Sequence, residues 1–148
     1  MVWELRAEIF FDGLCEPNPR GIATYGFAIY FNGKSLHKGS GIIGRGKGMT
    51  NNVAEYTALL EALKWLQKHH TGKFEEITIK GDSNLVIQQM RGIYKIKSKT
   101  SKKFVPLIKA EMEKLKPNKT EYKWIPREEN KEADLMSRIA YSKIHGEV

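Results

Sequence analysis

Four acidic residues stand where the chain changes from one predicted element to the next. Asp12 and Asp82 each follow an apolar run, at the carboxyl ends of two predicted strands. Glu55 and Asp134 lie in the first turns of two predicted amphipathic helices. Open α/β sheets bind their ligands beyond the carboxyl ends of their strands. We therefore expect these four side chains to converge at that edge of a sheet.

Carboxylates brought together without matched cations repel one another, and burying them is costly unless a partner compensates. Hard divalent cations such as Mg²⁺ take oxygen ligands. Two such ions about 3.5–4 Å apart can hold the attacking water and the leaving oxygen of a phosphodiester in line. The pattern favours metal-dependent phosphodiester hydrolysis. Simpler interpretations are that Asp12 caps a turn and that Glu55 compensates a helix dipole.

The elements that would position these acids follow from hydrophobic periodicity and turn signals. Asn32-Gly33 is a strong hairpin signal. The order βββαβααβα predicts an α/β fold (an α+β mixed sheet) with helices on its faces. Strands are predicted at residues 3–11, 22–31, 35–43, 74–80 and 121–125, and helices at residues 51–69, 83–91, 100–115 and 129–144.

Composition narrows the class of protein. The 148 residues are predicted to form one domain, residues 1–148. No apolar run approaches the roughly 20 residues of a membrane span, and the charged start is unlike a signal peptide. The lone cysteine, Cys15, excludes an internal disulfide framework and suits a reducing compartment. We expect a cytoplasmic protein with no membrane partner and no need of a protein partner.

Positive charge is concentrated in one stretch. Residues 91–123 contain eleven Lys or Arg and three Glu, a balance of +8 that equals the net charge of the whole chain. Such a stretch favours a polyanionic partner, most commonly nucleic acid. The alternative is a solvated lysine-rich helix of the kind found in heat-adapted proteins. We define the basic patch as Lys95, Lys97, Lys99, Lys102 and Lys103.

A glycine-rich stretch at residues 39–44 matches the dinucleotide-binding pattern G-x-G-x-x-G. That pattern binds a pyrophosphate only where a helix N-terminus follows it directly. Here Arg45-Gly46-Lys47-Gly48 separates it from the helix predicted to begin at residue 51. We interpret the stretch as a strand and a loop.

Four motifs together closely resemble type 1 ribonuclease H, above all its short archaeal members, over nearly the whole chain. The resemblance implies a ribonuclease H-like fold with a five-stranded mixed sheet of order 3-2-1-4-5, strand 2 antiparallel, and helices on both faces. It also implies hydrolysis of the RNA strand of an RNA–DNA hybrid, leaving 5′-phosphate and 3′-hydroxyl ends. The motifs are Phe11-Asp12-Gly13 with Asn18-Pro19, Thr50-Asn51-Asn52 with Glu55, Gly81-Asp82-Ser83, and Arg127-Glu128-Glu129-Asn130 with Ala133-Asp134.

The resemblance further implies roles for single residues and two Mg²⁺ ions, for which Mn²⁺ could substitute. Asp12 would bridge both ions and Asp134 would help hold the ion that activates water. Glu55 and Asp82 would complete the site of the other ion. The implied substrate contacts are Gly13, Cys15, Asn18, Asn51 and Asn52 in the minor groove of the hybrid, and Thr50 at a phosphate of the DNA strand. Because a 2′-hydroxyl both donates and accepts, backbone and amide groups suit that contact.

The same substrate-contacting residues have simpler interpretations. Thr50 or Asn51 would then only cap its helix, and Cys15 would only pack. The chain also departs from the family pattern. Residues 91–103 form a shorter basic stretch than the tryptophan- and lysine-rich protrusion of many bacterial relatives. A histidine-bearing loop is reduced to Ile125-Pro126-Arg127, so the candidate auxiliary residues are Arg127, Glu128 and Glu129. In addition, Arg20 displaces a usual glycine, and Leu14 stands where a small polar residue is common.

Two other functions are compatible with the sequence. Other nucleases, integrases and transposases share this fold and its acids, although they usually carry extra DNA-binding domains. A non-catalytic module that binds hybrid or double-stranded RNA is the second alternative. Such a module would gain nothing from repelling acids that face phosphate. Double-stranded RNA is also a second candidate substrate for the enzyme itself.

Overall fold

A computed structural model describes residues 4–70 and 72–144. The predicted order of elements is confirmed, and apart from β1 every boundary is exact or shifted by one or two residues. None of the described helices combines the length and the apolar character needed to span a bilayer. The strands are β1 (Leu5–Glu16), β2 (Ile22–Phe31), β3 (Lys34–Arg45), β4 (Phe74–Gly81) and β5 (Lys119–Trp124). The helices are α1 (Asn51–His69), α2 (Asn84–Met90), α3 (Lys99–Leu115) and α4 (Lys131–Ile144).

The five strands form one mixed sheet in the order β3-β2-β1-β4-β5. β2 runs antiparallel to β1 and β3, whereas β4 is parallel to β1 and β5. Asn32 and Gly33 both adopt positive φ, at 48° and 84°, as the predicted tight hairpin between β2 and β3 requires. The expected sheet order and the antiparallel second strand are therefore confirmed.

Helices cover both faces of the sheet, as expected. Side chains alternate along a strand, so neighbouring residues of β2 face different helices. Phe27 and Ile29 join the main core with α1, α2 and α3. Thr24 faces the other way, and its hydroxyl donates to the backbone oxygen of Ser137 in α4 at 2.9 Å. The layer of α1 to α3 and the single helix α4 thus enclose the sheet between them.

The prediction that Asp12 ends its strand is wrong. β1 continues to Glu16, because β2 remains paired with it as far as Ile22. The parallel neighbour β4 pairs with β1 only as far as Phe11 opposite Gly81. Asp12 is therefore the first residue of β1 beyond the end of β4, so it lies at an open edge while its backbone remains in the sheet.

Two other boundaries differ from the prediction. Residues Arg127–Glu129 form a single 3₁₀ turn after Pro126, so the last helix begins at Lys131 rather than at residue 129. The predicted start of the first strand, Trp3, lies outside the described residues. Differences of one or two residues at the ends of elements are ordinary, because terminal turns fray.

The glycine-rich stretch at residues 39–44 lies within β3, as we interpreted it. A Cβ atom at Gly39 would overlap the ring of Phe27, and one at Gly41 would overlap the ring of Tyr25. These two glycines therefore make room for aromatic rings that lie against the strand. Ring packing accounts for them without a phosphate ligand.

Candidate active site

Three of the predicted acids converge at the carboxyl end of β4. Asp12 comes from β1, Glu55 from the first turns of α1, and Asp82 from the residue that follows β4. One carboxylate oxygen of each lies within 4.8 Å of the others. Asp12 is 6% exposed and Glu55 is 9% exposed, so two of the three are buried. We call this group the acidic triad.

Gly13 allows α1 to approach β1 closely enough to form the triad. A Cβ atom there would overlap the backbone of Ala54 and Glu55. The backbone N–H of Gly13 also donates to Oδ1 of Asp12 at 3.0 Å. Gly13, which the sequence motifs indicated only as a substrate contact, therefore also has a structural role.

α4 carries Asp134 to the same cleft by a similar close approach. A Cβ atom at Gly26 of β2 would overlap backbone atoms of Ala133 and Ser137. Just before α4, the buried Asn130 side chain donates through Nδ2 to the backbone oxygen of Phe11 at 2.8 Å. These bonds and close approaches attach the start of α4 to the two central strands, next to Asp12.

Asp134, unlike the three acids of the triad, forms an ion pair among the described residues. Among the described residues it stands outside the acidic triad. Its Oδ1 lies 3.0 Å from Nε of Arg138, one helical turn further along α4. Arg138 was not predicted from the sequence, although the i,i+4 spacing of Asp134 and Arg138 is a recognisable signal for an ion pair.

Burial and mutual repulsion make the triad a site of unusual pKa values. Burial, with the nearby charges of Asp82 and Asp134, raises the pKa of Asp12 from its ordinary 3.8 to about 7. Burial and the charge of Asp12 raise the pKa of Glu55 well above its ordinary value. Burial also raises the pKa of Asp82, although the Arg127 guanidinium opposes the shift. In each case burial is the largest cause, because it disfavours the charged form of the carboxyl group.

The donor set fits a hard divalent cation. Oε2 of Glu55 is buried and has no hydrogen-bond partner among the described residues. A buried acceptor without a partner carries a desolvation cost. A cation bound between the three carboxylates would remove that cost and their mutual repulsion together. All three ligands are carboxylate oxygens, which suits Mg²⁺ or Mn²⁺ better than softer metals.

The acids open into a cleft of about 580 Å³. Most of the predicted substrate contacts line it, as do two arginines. Thr50, Glu128 and Glu129 are not among the lining residues in the described part of the chain, and both glutamates are exposed. The lining residues are Asp12, Gly13, Leu14, Cys15, Glu16, Asn18, Asn51, Asn52, Glu55, Asp82, Ser83, Arg127, Asp134 and Arg138.

One wall of the cleft is a hydrogen-bonded loop. Backbone N–H of Asn51 donates to Oδ1 of Asn18 at 3.0 Å. Backbone N–H of Cys15 donates to Oδ1 of Asn51 at 3.1 Å. Thr50 is the N-cap of α1, accepting from the N–H of Val53 at 3.1 Å. The capping interpretation thus holds for Thr50 but is wrong for Asn51, whose side chain binds β1.

The position of Cys15 agrees with the interpretation that this residue only packs. It is 2% exposed and clusters with Ala23 and Ala54. Its thiol donates to the backbone oxygen of Pro17 at 3.4 Å. The side chain therefore holds the loop in place beneath the cleft.

The basic patch is exposed throughout. Lys95 and Lys97 lie in the segment of residues 91–98 that joins α2 to α3. Lys99, Lys102 and Lys103 lie in the first turns of α3. These five ammonium groups are available to a polyanion.

Comparisons with known proteins agree with this architecture. The family model described as reverse transcriptase-like matches residues 10–140. Ribonuclease HI of Halobacterium salinarum is 35% identical over 89 residues, which are 60% of this chain. This chain spans about half the length of the curated relatives it matches, 42% of that protein and 56% of another.

Two solved structures cover almost all of both chains. The N-terminal RNase H domain of Rv2228c from Mycobacterium tuberculosis superposes with a TM-score of 0.84 at 30% identity, over 97% of this chain and 98% of that one. LC11-RNase H1, solved in complex with an RNA/DNA hybrid, superposes with a TM-score of 0.81 at 35% identity, over 93% of this chain and 98% of that one.

Proposed function

The chain belongs to the type 1 ribonuclease H family, and from this premise we propose that it hydrolyses the RNA strand of RNA–DNA hybrids as an endonuclease. The observation that carries the proposal is the acidic triad, with carboxylate oxygens within 4.8 Å of one another in an open cleft. A relative that covers nearly the same length was solved with a hybrid bound. Residues 1–148 would act as one catalytic domain that needs no protein partner.

We propose Mg²⁺ as the cofactor, with Mn²⁺ as a substitute. Asp12, Glu55 and Asp82 would hold one ion, and Asp12 with Asp134 would hold a second when substrate is bound. Such ions supply a water of lowered pKa and neutralise charge on the phosphodiester. Hydrolysis on that pattern leaves 5′-phosphate and 3′-hydroxyl ends.

The two arginines of the cleft suit phosphate binding. Arg127 and Arg138 line the cleft together with the acids, and guanidinium groups bind phosphate oxygens in a bidentate manner. Arg127 is therefore the best supported of the three auxiliary candidates. Glu128 and Glu129 are exposed on the 3₁₀ turn, from which they would act only through solvent.

The loop wall would distinguish RNA from DNA. Asn18 and Asn51 use their side-chain oxygens within the protein, and in the described part of the chain no partner occupies their NH₂ groups, which could donate to a 2′-hydroxyl. Gly13 and Asn52 would contribute to the same surface, and Cys15 would support it from below. The hydroxyl oxygen of Thr50 accepts from Val53, which leaves its proton for a phosphate oxygen of the DNA strand.

A strand-labelled cleavage assay tests the proposal. With Mg²⁺ we expect the RNA strand of a hybrid to be cut at internal positions and the DNA strand to stay intact, with no cleavage in EDTA. Double-stranded RNA and double-stranded DNA are the comparison substrates. Cleavage of double-stranded RNA at a similar rate would extend the substrate range, whereas cleavage of double-stranded DNA alone would contradict the proposal.

The Asp12→Asn variant separates catalysis from binding. It keeps the volume of the side chain and removes its charge, so we expect a folded protein that still binds hybrid but cleaves several orders of magnitude more slowly. Undiminished turnover by this variant would contradict a metal site at the triad. A wild-type protein that binds hybrid and never cleaves it would support the non-catalytic alternative.

A further inference from the structure

A buried polar cluster joins three helices, among them α1, which carries Glu55. It consists of Tyr56 on α1, Gln89 on α2 and Ser101 on α3, which are 0%, 4% and 0% exposed. The hydroxyl of Tyr56 donates to Oε1 of Gln89. Ser101 Oγ donates to the same oxygen at 2.7 Å, and the two hydroxyl oxygens lie 3.1 Å apart. We call this group the polar cluster.

The polar cluster is bonded to the segment of residues 91–98. Gln89 directs its amide outward, and Nε2 donates to the backbone oxygen of Lys95 at 3.2 Å. Ser98 Oγ donates to Oγ of Ser101 at 2.9 Å and accepts from the backbone N–H of Ser101 at 3.0 Å. The middle and the end of the segment are therefore attached to Gln89 and Ser101.

Residues 91–98 make few other hydrogen bonds within the described part of the chain. Every residue from 91 to 99 is exposed. Its first part is bonded to α2, since the N–H groups of Ile93 and Tyr94 donate to the backbone oxygen of Gln88 at 2.9 and 3.1 Å. Beyond Tyr94, the hydrogen bonds found in the described residues lead to the polar cluster and to the Ser98 cap of α3.

A second connection reaches the lysines of α3. The ring of Tyr56 stacks on Phe104, with centroids 5.5 Å apart and planes 8° from parallel. The ammonium of Lys103 lies 5.3 Å from the centroid of the same Phe104 ring. Tyr56 directly follows Glu55 in the chain. Tyr56 on α1, the helix that carries Glu55, is thus linked through the ring of Phe104 to Lys103 on α3.

Polar side chains in the core carry a desolvation cost that apolar side chains of similar volume would avoid. Their presence here therefore suggests a role besides filling space. Hydrogen bonds depend on direction, so a fully bonded cluster fixes one arrangement of its helices more closely than apolar packing does. The helices that it joins include α1, which carries Glu55, and α3, which carries three lysines of the basic patch.

We propose that the polar cluster is a positioning device for nucleic acid: Tyr56, Gln89 and Ser101 hold the basic patch at a set distance from the acidic triad. Phosphates of one strand would then lie on the lysines while the cleft acts on the other strand. This inference rests on the proposed function. It assigns the three residues to the geometry of binding and leaves the chemical step to the acids.

The Gln89→Met variant tests the inference, because it keeps the side-chain volume and removes both the shared acceptor and the donor to Lys95. We expect the Kd for a hybrid to rise about three- to tenfold. The slope of log Kd against log salt should fall by about 0.9 for each phosphate that the protein no longer neutralises. KM should rise in parallel, with kcat within about twofold of wild type, since the acids are untouched.

Leu66→Ala is the matched control. Leu66 is a fully buried residue of α1 near the end remote from Glu55, so its truncation lowers stability without touching the polar cluster. With both variants assayed well below their melting temperatures, the control should keep the Kd and the salt slope of wild type. Tyr56→Phe, which retains the ring stacked on Phe104, should shift both quantities in the same direction as Gln89→Met by a smaller amount, and it serves if Gln89→Met does not fold.

The possible failures are distinguishable. Unchanged Kd and salt slope in a destabilised Gln89→Met would show that the cluster is only part of the core, and so would a loss of kcat without a change in binding. Either result overturns the inference while wild-type cleavage continues to support the proposed function. Absence of cleavage in wild type would instead overturn the proposed function, and the salt slopes would still decide the role of the cluster.

Discussion

Nε of Arg138 lies 3.0 Å from Oδ1 of Asp134, and this ion pair neutralises the fourth acid of the cleft while the other three face one another. The two side chains are 52% and 27% exposed. Exposed pairs of this kind contribute about 0.2–1 kcal/mol, so a divalent ion can displace the guanidinium at modest cost. Under the proposed function, Arg138 would therefore compete for Asp134 with the second metal ion.

We predict that Arg138→Gln binds divalent metal more tightly. Removing the competing guanidinium should lower the Kd for Mn²⁺ about 1.5- to 5-fold, the equivalent of the ion pair it breaks. Because that ion is proposed to bind together with substrate, the measurement is the Mn²⁺ dependence of hybrid cleavage, whose half-maximal concentration should fall by the same factor. Arg6→Gln is the control, since it removes the same charge from the start of β1, where Arg6 pairs with Glu4 and Glu76. If the affinity for Mn²⁺ changed equally in both variants, the cause would be the change in net charge and not the loss of the ion pair with Asp134.

The stability of the metal-free protein should fall as pH rises from about 4 to about 7. The pKa of Asp12 is raised to about 7 in the folded state, against an ordinary 3.8. Between these values the unfolded chain has lost its proton while the folded protein retains it, so each rise in pH favours unfolding. Above the folded pKa the penalty is complete. Thermal unfolding in EDTA at a series of pH values checks the trend.

The same linkage predicts that Mg²⁺ stabilises the protein more at pH 8 than at pH 5, because only the ionised triad binds Mg²⁺ well. Thermal unfolding with and without Mg²⁺ at the two pH values checks this.

Asp12→Asn in EDTA at pH 8 should melt several degrees above wild type, at about 2–4 °C for each kcal/mol of repulsion removed. At pH 4, where Asp12 is protonated in the folded state, the two proteins should melt close together. A variant that is less stable than wild type at pH 8 would contradict the repulsion.

Gly26→Ala should separate α4 from the sheet. The added methyl group overlaps backbone atoms of Ala133 and Ser137, which cannot move as a flexible side chain could. We expect a loss of about 1–3 kcal/mol in the free energy of unfolding and slower cleavage, since Asp134 moves with the helix. Gly44→Ala on β3 is the control, because its Cβ would meet only the side chain of Met49 at 3.4 Å. Equal stability of the two variants in urea would contradict the close approach.

Replacing the basic patch with glutamine should weaken hybrid binding and flatten its salt dependence. Each phosphate that is no longer neutralised lowers the log–log slope by about 0.9 for B-form DNA, so an effect of three or more phosphates is readily resolved. Fluorescence anisotropy with Asp12→Asn as the parent protein avoids cleavage during the measurement. The control changes Lys34, Lys68 and Lys73, which are exposed around the opposite end of the sheet. A slope that stays at the parental value would make the patch a solvated surface.

The four acids lie on elements that local sequence patterns mark. Apolar runs and cap residues were enough to predict the strands and helices that carry Asp12, Glu55, Asp82 and Asp134, because periodicity and capping are local properties. The motifs around them were enough to predict the order of the strands. Neither the periodicity nor the motifs predicted where β1 ends, because the length of a strand depends on the neighbouring strand with which it pairs.

The amino-acid sequence by itself determined the order of the elements, the identity of the acids and the position of the basic patch, all of which depend on residues close together in the chain. Only the tertiary structure decided that Gly26 lies against α4 and that Tyr56, Gln89 and Ser101 share one buried oxygen. These interactions join residues 12 to more than 100 positions apart. No local pattern marks them, because a residue's partner across the core is set by how the helices pack on the sheet.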